Sequence, residues 1–491
     1  MNYRTVTRRE FVKLSAAAAA GVTLLPGCGF RLDQLPAPMK REFGKTGFRV
    51  TTLGLGGQAS LQWTPEDVDP VPIILKAFNM GINYFDTSNV YDGSQMNYGK
   101  AFRQLNLIPG HPEYDEKLRE SIWLTTKTGI RWAKGGYPEM EGVRNFTQGD
   151  HGEGAVADLK RSLSQMFGDG KGNYPEGAYV NMILMHALDN FEEVEVLYRG
   201  LDTPPDPDGN FGALVAIRDF RDGTNITGLN PKHEQLVRHI GFSGHLNSPA
   251  MIEMIQRDRY GLLDGMLVAI NPNDKLYLNH QYNVIPVAEA GGLGIIAMKV
   301  FADGAMYTKE ARWSGNPEDV VRTVGSEELP SNPLVEYALT TPGIHTAIIG
   351  IGQISDDHLN CQLVQNYYAA QIAPDGMEHR KRLEMEQKTA QVKDGKTNYF
   401  QRPKVGLTPP NNPRILEEGE IKLAWDTAYA GDFPVSHYEV FRDGEQVGSI
   451  PHTPQTTKEP FIFRDETGGR SYRVVSVDTE DNRAESEPLV V

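Results

Sequence analysis

Gly81-Ile82-Asn83-Tyr84-Phe85-Asp86-Thr87-Ser88 is a short apolar run that ends in a carboxylate. Two later runs have the same build. Ile122-Trp123-Leu124-Thr125-Thr126 ends in Lys127, and Met182-Ile183-Leu184-Met185 ends in His186. Working outward, strand-like runs fall at 50–55, 83–85, 122–126, 180–185, 239–242, 265–270, 294–298 and 345–349, with helical patterns between them at 72–80, 155–166, 249–257 and 334–339. Eight such units between residues 40 and 352 predict an α/β fold, a closed parallel (β/α)8 TIM barrel, whose usual size is about 250 residues before insertions. A doubly wound open sheet is the competing architecture, but Gly54, Gly56 and Gly57 have the wrong spacing for a Gly-x-Gly-x-x-Gly turn after the first strand. Residues 129–153, 167–178, 199–212 and 303–332 are rich in Gly, Pro, Asp and Asn and read as surface excursions, three of them on the face where barrel active sites stand. They read equally as a lid or groove and as decoration.

The barrel is expected over 40–395, followed by a linker at 396–412, the break being marked by Pro403, Pro409, Pro410 and Pro413. Residues 413–491 change character, with short alternating runs at 421–425, 437–442, 446–450, 461–464 and 471–478 that predict a small all-β sandwich. Trp425, Tyr438, the 472–478 run and Ser486-Glu487-Pro488 resemble a fibronectin type III module. The sandwich shows no nucleophile–base pair and reads as a spacer or binding module.

Composition narrows the function. The 491 residues are 39% hydrophobic and 23% charged, which excludes a disordered chain and a polytopic membrane protein. A net charge of −15 excludes an extended nucleic-acid surface. Two cysteines, Cys28 and Cys361, exclude a disulfide scaffold and a four-cysteine metal site. At the N-terminus, Arg8-Arg9-Glu10-Phe11 ahead of a short alanine-rich stretch resembles a twin-arginine export signal, the alternative being an ordinary amphipathic helix. Leu25-Pro26-Gly27-Cys28 resembles a lipobox with Cys28 as the lipidated residue; cleavage by another peptidase is the alternative. The expected signal spans 1–28, the expected partners are the export machinery and a lipid tether, and the expected location is the periplasm or cell envelope. Export of folded proteins implies a cofactor inserted beforehand.

At a barrel mouth Asp86, Tyr91, Lys127 and His186 converge, although each alone reads as a cap or surface residue. Together they make a proton-transfer site. A nearby ammonium lowers a phenol's pKa from about 10, a carboxylate fixes the ammonium, and a histidine orients a carbonyl.

The 81–100 segment, Lys127, His186, Ile240-Gly241-Phe242-Ser243-Gly244-His245 and 292–300 resemble the aldo-keto reductases over roughly residues 41–362. The resemblance implies hydride transfer between NADP or NAD and a small carbonyl or alcohol, sugar-related compounds included. It makes Tyr91 the general acid, Lys127 the group that lowers its pKa, Asp86 the partner of Lys127, and His186 the substrate orienter. The cofactor residues it implies are Gly57, Ser243, Asn271, Lys299, Gly350 and Gly352. The chain departs from the family pattern at Ser243-Gly244, at Asn271 in place of a glutamine, and at Met298-Lys299, where no aromatic follows the seventh strand. Asp356 and Asp357 stand where many relatives carry cations for a 2′-phosphate, so NADP and NAD stay equally open. The second functional reading is a non-catalytic envelope binding or adhesion lipoprotein that works through its sandwich. The 202–208 acids read as a solvated loop rather than a calcium site, His233, His239 and His245 form no closed zinc ligand set, and Cys361 is assigned no role.

Overall fold

The computed structural model describes residues 35–143, 154–417 and 421–491; the residues read as export signal and lipobox, Cys28 included, lie outside these. A hairpin of β1 (Lys40–Glu42) and β2 (Arg49–Thr51) comes first. It is followed by eight parallel strands, β3 (Leu53–Leu55), β4 (Tyr84–Asp86), β5 (Trp123–Thr128), β6 (Val180–Leu188), β7 (Val237–Gly244), β8 (Leu263–Ala269), β9 (Gly294–Met298) and β10 (Thr346–Ile349). They close into a barrel in chain order, with β10 pairing both β3 and β9. The fold class read from the sequence is therefore the one observed. The apolar run at 50–55 divides between two structures: Arg49–Thr51 pairs with the hairpin and Leu53–Leu55 enters the barrel.

Strand alternation decides what faces the barrel axis. Successive side chains on a strand point to opposite faces. Tyr84, Trp123, Met182 and Leu184 belong to the inner cluster, whereas Phe85, Leu124, Ile183 and Met185 pack outward against the helices. The same inner parity falls on Asp86, two residues beyond Tyr84, on Lys127, four beyond Trp123, and on His186, two beyond Leu184. Register completes the alignment, with Asp86 opposite Thr125 and Lys127 opposite Leu184. The hairpin plugs the far end of the barrel with Phe43, fully buried and edge-on to Tyr84 and Trp123. Burying such a ring is worth about 1.5–3 kcal/mol, so that end is closed by core packing and the opposite mouth is left for chemistry.

The outer helices include Val71–Asn79, Ala155–Phe167, Ser248–Gln256 and Ser331–Leu339. In Ala155–Phe167 the buried Ala155, Leu159, Leu163 and Met166 recur at helical spacing and form the face laid on the barrel. Ser248–Gln256 begins where the Asn247 side chain accepts from Ala250 N and Pro249 occupies the first turn.

Residues 397–401, within the stretch read as a linker, cross the barrel mouth. Asn398 exchanges amide hydrogen bonds with Asn271, Tyr399 Oη donates to Asp303 (3.0 Å), and Gln401 Nε2 donates to Asp274 Oδ1 (2.6 Å).

The C-terminal strands form two antiparallel sheets: β11 (Asn411–Glu417), β12 (Ile421–Asp426) and β15 (Phe461–Asp465) in one; β13 (Val435–Arg442), β14 (Glu445–Pro451), β16 (Ser471–Asp478), β17 (Arg483–Glu485) and β18 (Leu489–Val490) in the other. Trp425, Tyr438, Val440, Tyr472 and Val474 make their shared core. Strand β11 has no counterpart in the sequence reading, because Pro413 there marks a linker. The structure tolerates that proline at a register break between Asn411 and Arg414 on an edge strand. The sandwich is docked on the barrel. Buried Asn283 donates to Ala430 O (3.1 Å) and accepts from Ala430 N (2.9 Å), and Asn279 donates to Gly431 O.

Candidate active site

Asp86, Lys127 and His186 sit at strand ends, and Tyr91 stands on the turn that leads from β4 into the helix Ser94–Gln104. Lys127 Nζ lies 2.5 Å from Asp86 Oδ1 and donates to Thr87 O at 2.9 Å, with both side chains essentially sealed from solvent. The same ammonium is 4.7 Å from the centre of the Tyr91 ring, and that ring stands edge-on to His186 at 5.7 Å. The four residues therefore converge on one point of the barrel mouth. After His186 the β6–β7 register shifts, and Ala187 takes a left-handed conformation (φ 63°) held by a hydrogen bond from its N–H to Ser243 Oγ (2.9 Å). Such bulges re-aim side chains at functional sites.

The electrostatics differ from the sequence expectation at the phenol. Burial, and then the charges of Asp86 and Asp303, push the Tyr91 phenol well above its ordinary value. The Lys127 ammonium, paired with Asp86, does not reverse this. Within that pair burial drives the Asp86 carboxyl up and the Lys127 ammonium down, each opposed by the attraction of the other. Burial, Lys127 and Lys299 hold His186 well below the usual histidine range, so its imidazole is neutral.

From Asp86 and Tyr91 a cavity runs outward. It is lined by Gly56, Gly57 and Gly350, by Lys299, Phe301 and Asp303 after β9, by residues of the 319–325 segment, and by Gln362 and Asn366. A side chain at Gly57 would place its Cβ 2.5 Å from Asp86 O and 2.8 Å from Thr87 Cα, so glycine there keeps the floor open.

The remaining candidates divide. Gly57, Lys299 and Gly350 line the cavity. Gly352 lies beneath the covering segment, with its virtual Cβ 2.3 Å from Val321 O. Ser243 braces Ala187. Asn271 needs correction: its Nδ2 donates to Lys299 O (2.9 Å) and Asn398 Oδ1 (3.0 Å), and its Oδ1 accepts from Asn273 N (2.9 Å) and Asn398 Nδ2 (3.2 Å). That uses the full capacity of an amide. Asn271 does not line the cavity and instead positions the turn that carries Lys299.

Asp303, Phe301, Gln362 and Asn366 belong to the cavity, yet the sequence reading left Asp303 in a surface excursion and gave the other three no role. Their only signal was position after the seventh and eighth strands of a barrel, where loops form the active face.

Residues 303–332 are a strap. Gln362 Nε2 donates to Val321 O (3.1 Å) and Thr323 O (2.9 Å), and Arg312 clasps Asp319 with both terminal nitrogens. Arg322 reaches the loop after β3 and pairs bidentately with Asp67 at 2.8 and 2.7 Å. This pair joins the strap to the opposite wall, and it is solvent-accessible. An exposed pair contributes about 0.2–1 kcal/mol. Arg322→Ala is accordingly expected to speed release of a ligand held beneath the strap by about 2- to 5-fold, measured by stopped-flow displacement. Unchanged release at low salt would remove the pair from any role in closure.

The sequence model of the aldo/keto reductase family matches residues 52–332, more than half of the chain, and the chain belongs to this family. Over 105 residues it is 34% identical to the Glycine max protein named "Probable aldo-keto reductase 1", a match covering 20% of this chain and 26% of that protein. The chain thus spans about a quarter of the length of that curated relative. Among solved structures it is similar to an aldo-keto reductase of Bacillus halodurans in its holo form, at 18% identity and TM-score 0.44, covering 72% of this chain and 97% of that one. It is also similar to a Klebsiella pneumoniae aldo-keto reductase in complex with NADPH, at 16% identity and TM-score 0.43, covering 71% and 94%.

Proposed function

We propose that the chain is an exported oxidoreductase that interconverts a small carbonyl compound and its alcohol with NADP or NAD, Tyr91 carrying the proton. The observation that carries this reading is the convergence of Tyr91, Lys127, Asp86 and His186 at the inner end of a long, strap-covered cavity. The cavity fits an extended dinucleotide. Its floor is glycine where a Cβ would collide with backbone, and Asn366 lines it as a neutral hydrogen-bonding side chain.

When bound there, the dinucleotide supplies the hydride. The protein's own residues handle the rest. A substrate carbonyl oxygen lies between the Tyr91 hydroxyl and the His186 imidazole. Neutral His186 donates an N–H to it and fixes its direction without supplying a full charge. Tyr91 keeps its proton at neutral pH because its pKa is raised, and it releases that proton as negative charge develops on the oxygen, which is general acid catalysis. In the reverse direction the phenolate takes the alcohol proton. Asp86 holds Lys127 rigidly against the ring face, where the ammonium stabilises the phenolate as it forms. The strap excludes water and lowers the local dielectric around these charges.

Residues 1–28 supply the export part of the proposal, with Cys28 as the lipid attachment point and the envelope as the site of action. The C-terminal sandwich, of fibronectin type III kind, is proposed as a fixed module seated beside the barrel. Fluorescence titration of the chain lacking residues 1–28 with NADPH and with NADH tests the core claim. Micromolar binding of either is the expected result and also settles the preference between them. No binding by folded, dinucleotide-free protein would overturn the reading.

A further inference from the structure

Residues 397–401 reach the barrel mouth through a strained turn, in which Lys393, Asp394 and Gly395 are all left-handed, at φ 50°, 55° and 71°. Two of the three are not glycine, and such a run persists only where its surroundings over-determine it. Those surroundings are side chains of the loop after β8. Asn273 Nδ2 donates to Gly395 O and to Thr397 Oγ1, both at 2.8 Å, and Asn398 Nδ2 donates to Asn273 O at 2.8 Å. The other end of the segment is held at Gln401, whose Nε2 donates to Asp274 Oδ1 (2.6 Å) and to His245 O (3.2 Å).

The last contact is a proton short. Asp274 is fully buried, and its second oxygen, Oδ2, has no hydrogen-bond partner. The amide oxygen of Gln401, Oε1, is buried and has none either. An ionised carboxylate only accepts, so a charged Asp274 would leave both oxygens unserved and bury an unpaired charge. Among the described residues Asp274 has no ion-pair partner, and the titratable groups on the elements around it bond elsewhere. Lys275 Nζ pairs with Glu386 (2.9 Å), and the Arg402 guanidinium lies 5.4 Å from the centre of the Tyr277 ring. His280 bonds Ser248 Oγ and His245 O, and burial holds it down to about 4. The His245 ring stands edge-on to Trp313 and Phe400. What acts on the Asp274 carboxyl is burial, which drives it well above the usual carboxylate range, opposed by the hydrogen bond from Gln401. A single proton on Oδ2 serves both orphaned oxygens at once.

We propose that Asp274 is a proton-dependent clasp: as an un-ionised acid it donates to Gln401 Oε1 while accepting from Gln401 Nε2, and this two-bond ring keeps residues 397–401 seated on the barrel mouth until the proton is lost to solvent. The same segment carries Tyr399, whose hydroxyl bonds Asp303 at the cavity wall, so rising pH loosens the mouth. The clasp stands on the geometry of Asp274 and Gln401; only its consequence for turnover rests on the oxidoreductase reading.

An acid that is protonated when folded but ionised when unfolded above about pH 4 makes folding take up a proton, so stability falls as pH rises from there to the raised folded value. Asp274→Asn carries the donating N–H permanently in nearly the same shape and lacks that slope. Calorimetric melting of the full chain from about pH 5 to about pH 9 is expected to show D274N close to the wild type at the acid end and progressively more stable than it as pH rises. Other titrating groups are common to both proteins and cancel in the difference. Hydrogen exchange at residues 397–401, corrected for its intrinsic pH dependence, reads the clasp itself. Protection is expected to fall with pH in the wild type, to stay flat in D274N, and to be about tenfold lower throughout in D274A, which has no ring to form. Parallel melting profiles for wild type and D274N would mean that Asp274 is already ionised, and would overturn the clasp. A melting difference that grows with pH while D274A keeps full protection would also overturn it, because the acid would then be neutral without holding the segment. Neither readout involves turnover, so a chain that binds no dinucleotide ends the oxidoreductase reading while these two measurements still decide the clasp.

Discussion

Replacing Tyr91 with phenylalanine lowers carbonyl reduction by about 10²- to 10⁴-fold, the usual worth of a positioned general acid, and leaves dinucleotide affinity unchanged. The change deletes one oxygen from a ring whose packing on Lys127 and His186 survives. The pH profile adds a second signature. The Tyr91 phenol is held above its ordinary value and therefore stays protonated through neutral and mildly alkaline pH. Reduction, which consumes the phenol's proton, is expected to stay flat from about pH 6 to about pH 9. Alcohol oxidation, which needs the phenolate, climbs across the same range. His186 is held well below the ordinary histidine value, so neither direction shows an inflection near pH 6.5. Steady-state rates of Tyr91→Phe and wild type in both directions check this. A loss smaller than tenfold, or a histidine-like inflection in the wild type, would remove Tyr91 or neutral His186 from its role.

Breaking the Asp86–Lys127 pair from one side is expected to destabilise the barrel by about 3–5 kcal/mol, because it leaves an uncompensated buried charge. The pair is 2.5 Å apart with both side chains sealed from solvent. Asp86→Ala leaves Lys127 with Thr87 O as its remaining acceptor. The lysine then discharges, its pKa falling further than burial alone already drives it. Lys127→Met leaves the Asp86 carboxyl to move up in the same way. The double variant Asp86→Asn/Lys127→Met removes both charges and is expected to recover much of the stability while staying inactive. Scanning calorimetry of the three variants, with activity measured in parallel, separates the two roles. A double variant as unstable as the singles would mean that shape, rather than charge, holds this corner of the barrel.

Much of the architecture was legible because strand periodicity is local. The apolar runs at 122–126 and 180–185 carry alternation that places Lys127 and His186 on the inner face, and the same rule places Asp86. Pro413 misled at β11, since a proline's meaning depends on whether its strand lies at an edge. The cavity was legible only on its β3–β4 side, where Gly57 is separated from Asp86 by one barrel step. Its other side comes from 303–332 and 362–366, and the 397–401 segment braces the barrel mouth beside it. No periodic signal announces that these reach back across a barrel mouth formed hundreds of residues earlier.

The sequence by itself determined that eight strand–helix units close in order, that a second, all-β unit follows, and that Asp86, Lys127 and His186 stand at strand ends with Tyr91 on the turn after the first of them. Each of these follows from side-chain parity and turn chemistry, which act over a few residues. Tertiary structure alone decided the electrostatics and the hydrogen-bond partners. Asn271, a plausible ligand by its position, spends all its hydrogen bonds on Lys299, Asn273 and Asn398. Lys127, expected to lower the Tyr91 pKa, is paired with Asp86, and burial together with the charges of Asp86 and Asp303 moves the phenol upward instead. Charge–charge energies and hydrogen-bond saturation depend on distances of a few ångströms between residues far apart in the chain, and only the folded barrel sets those distances.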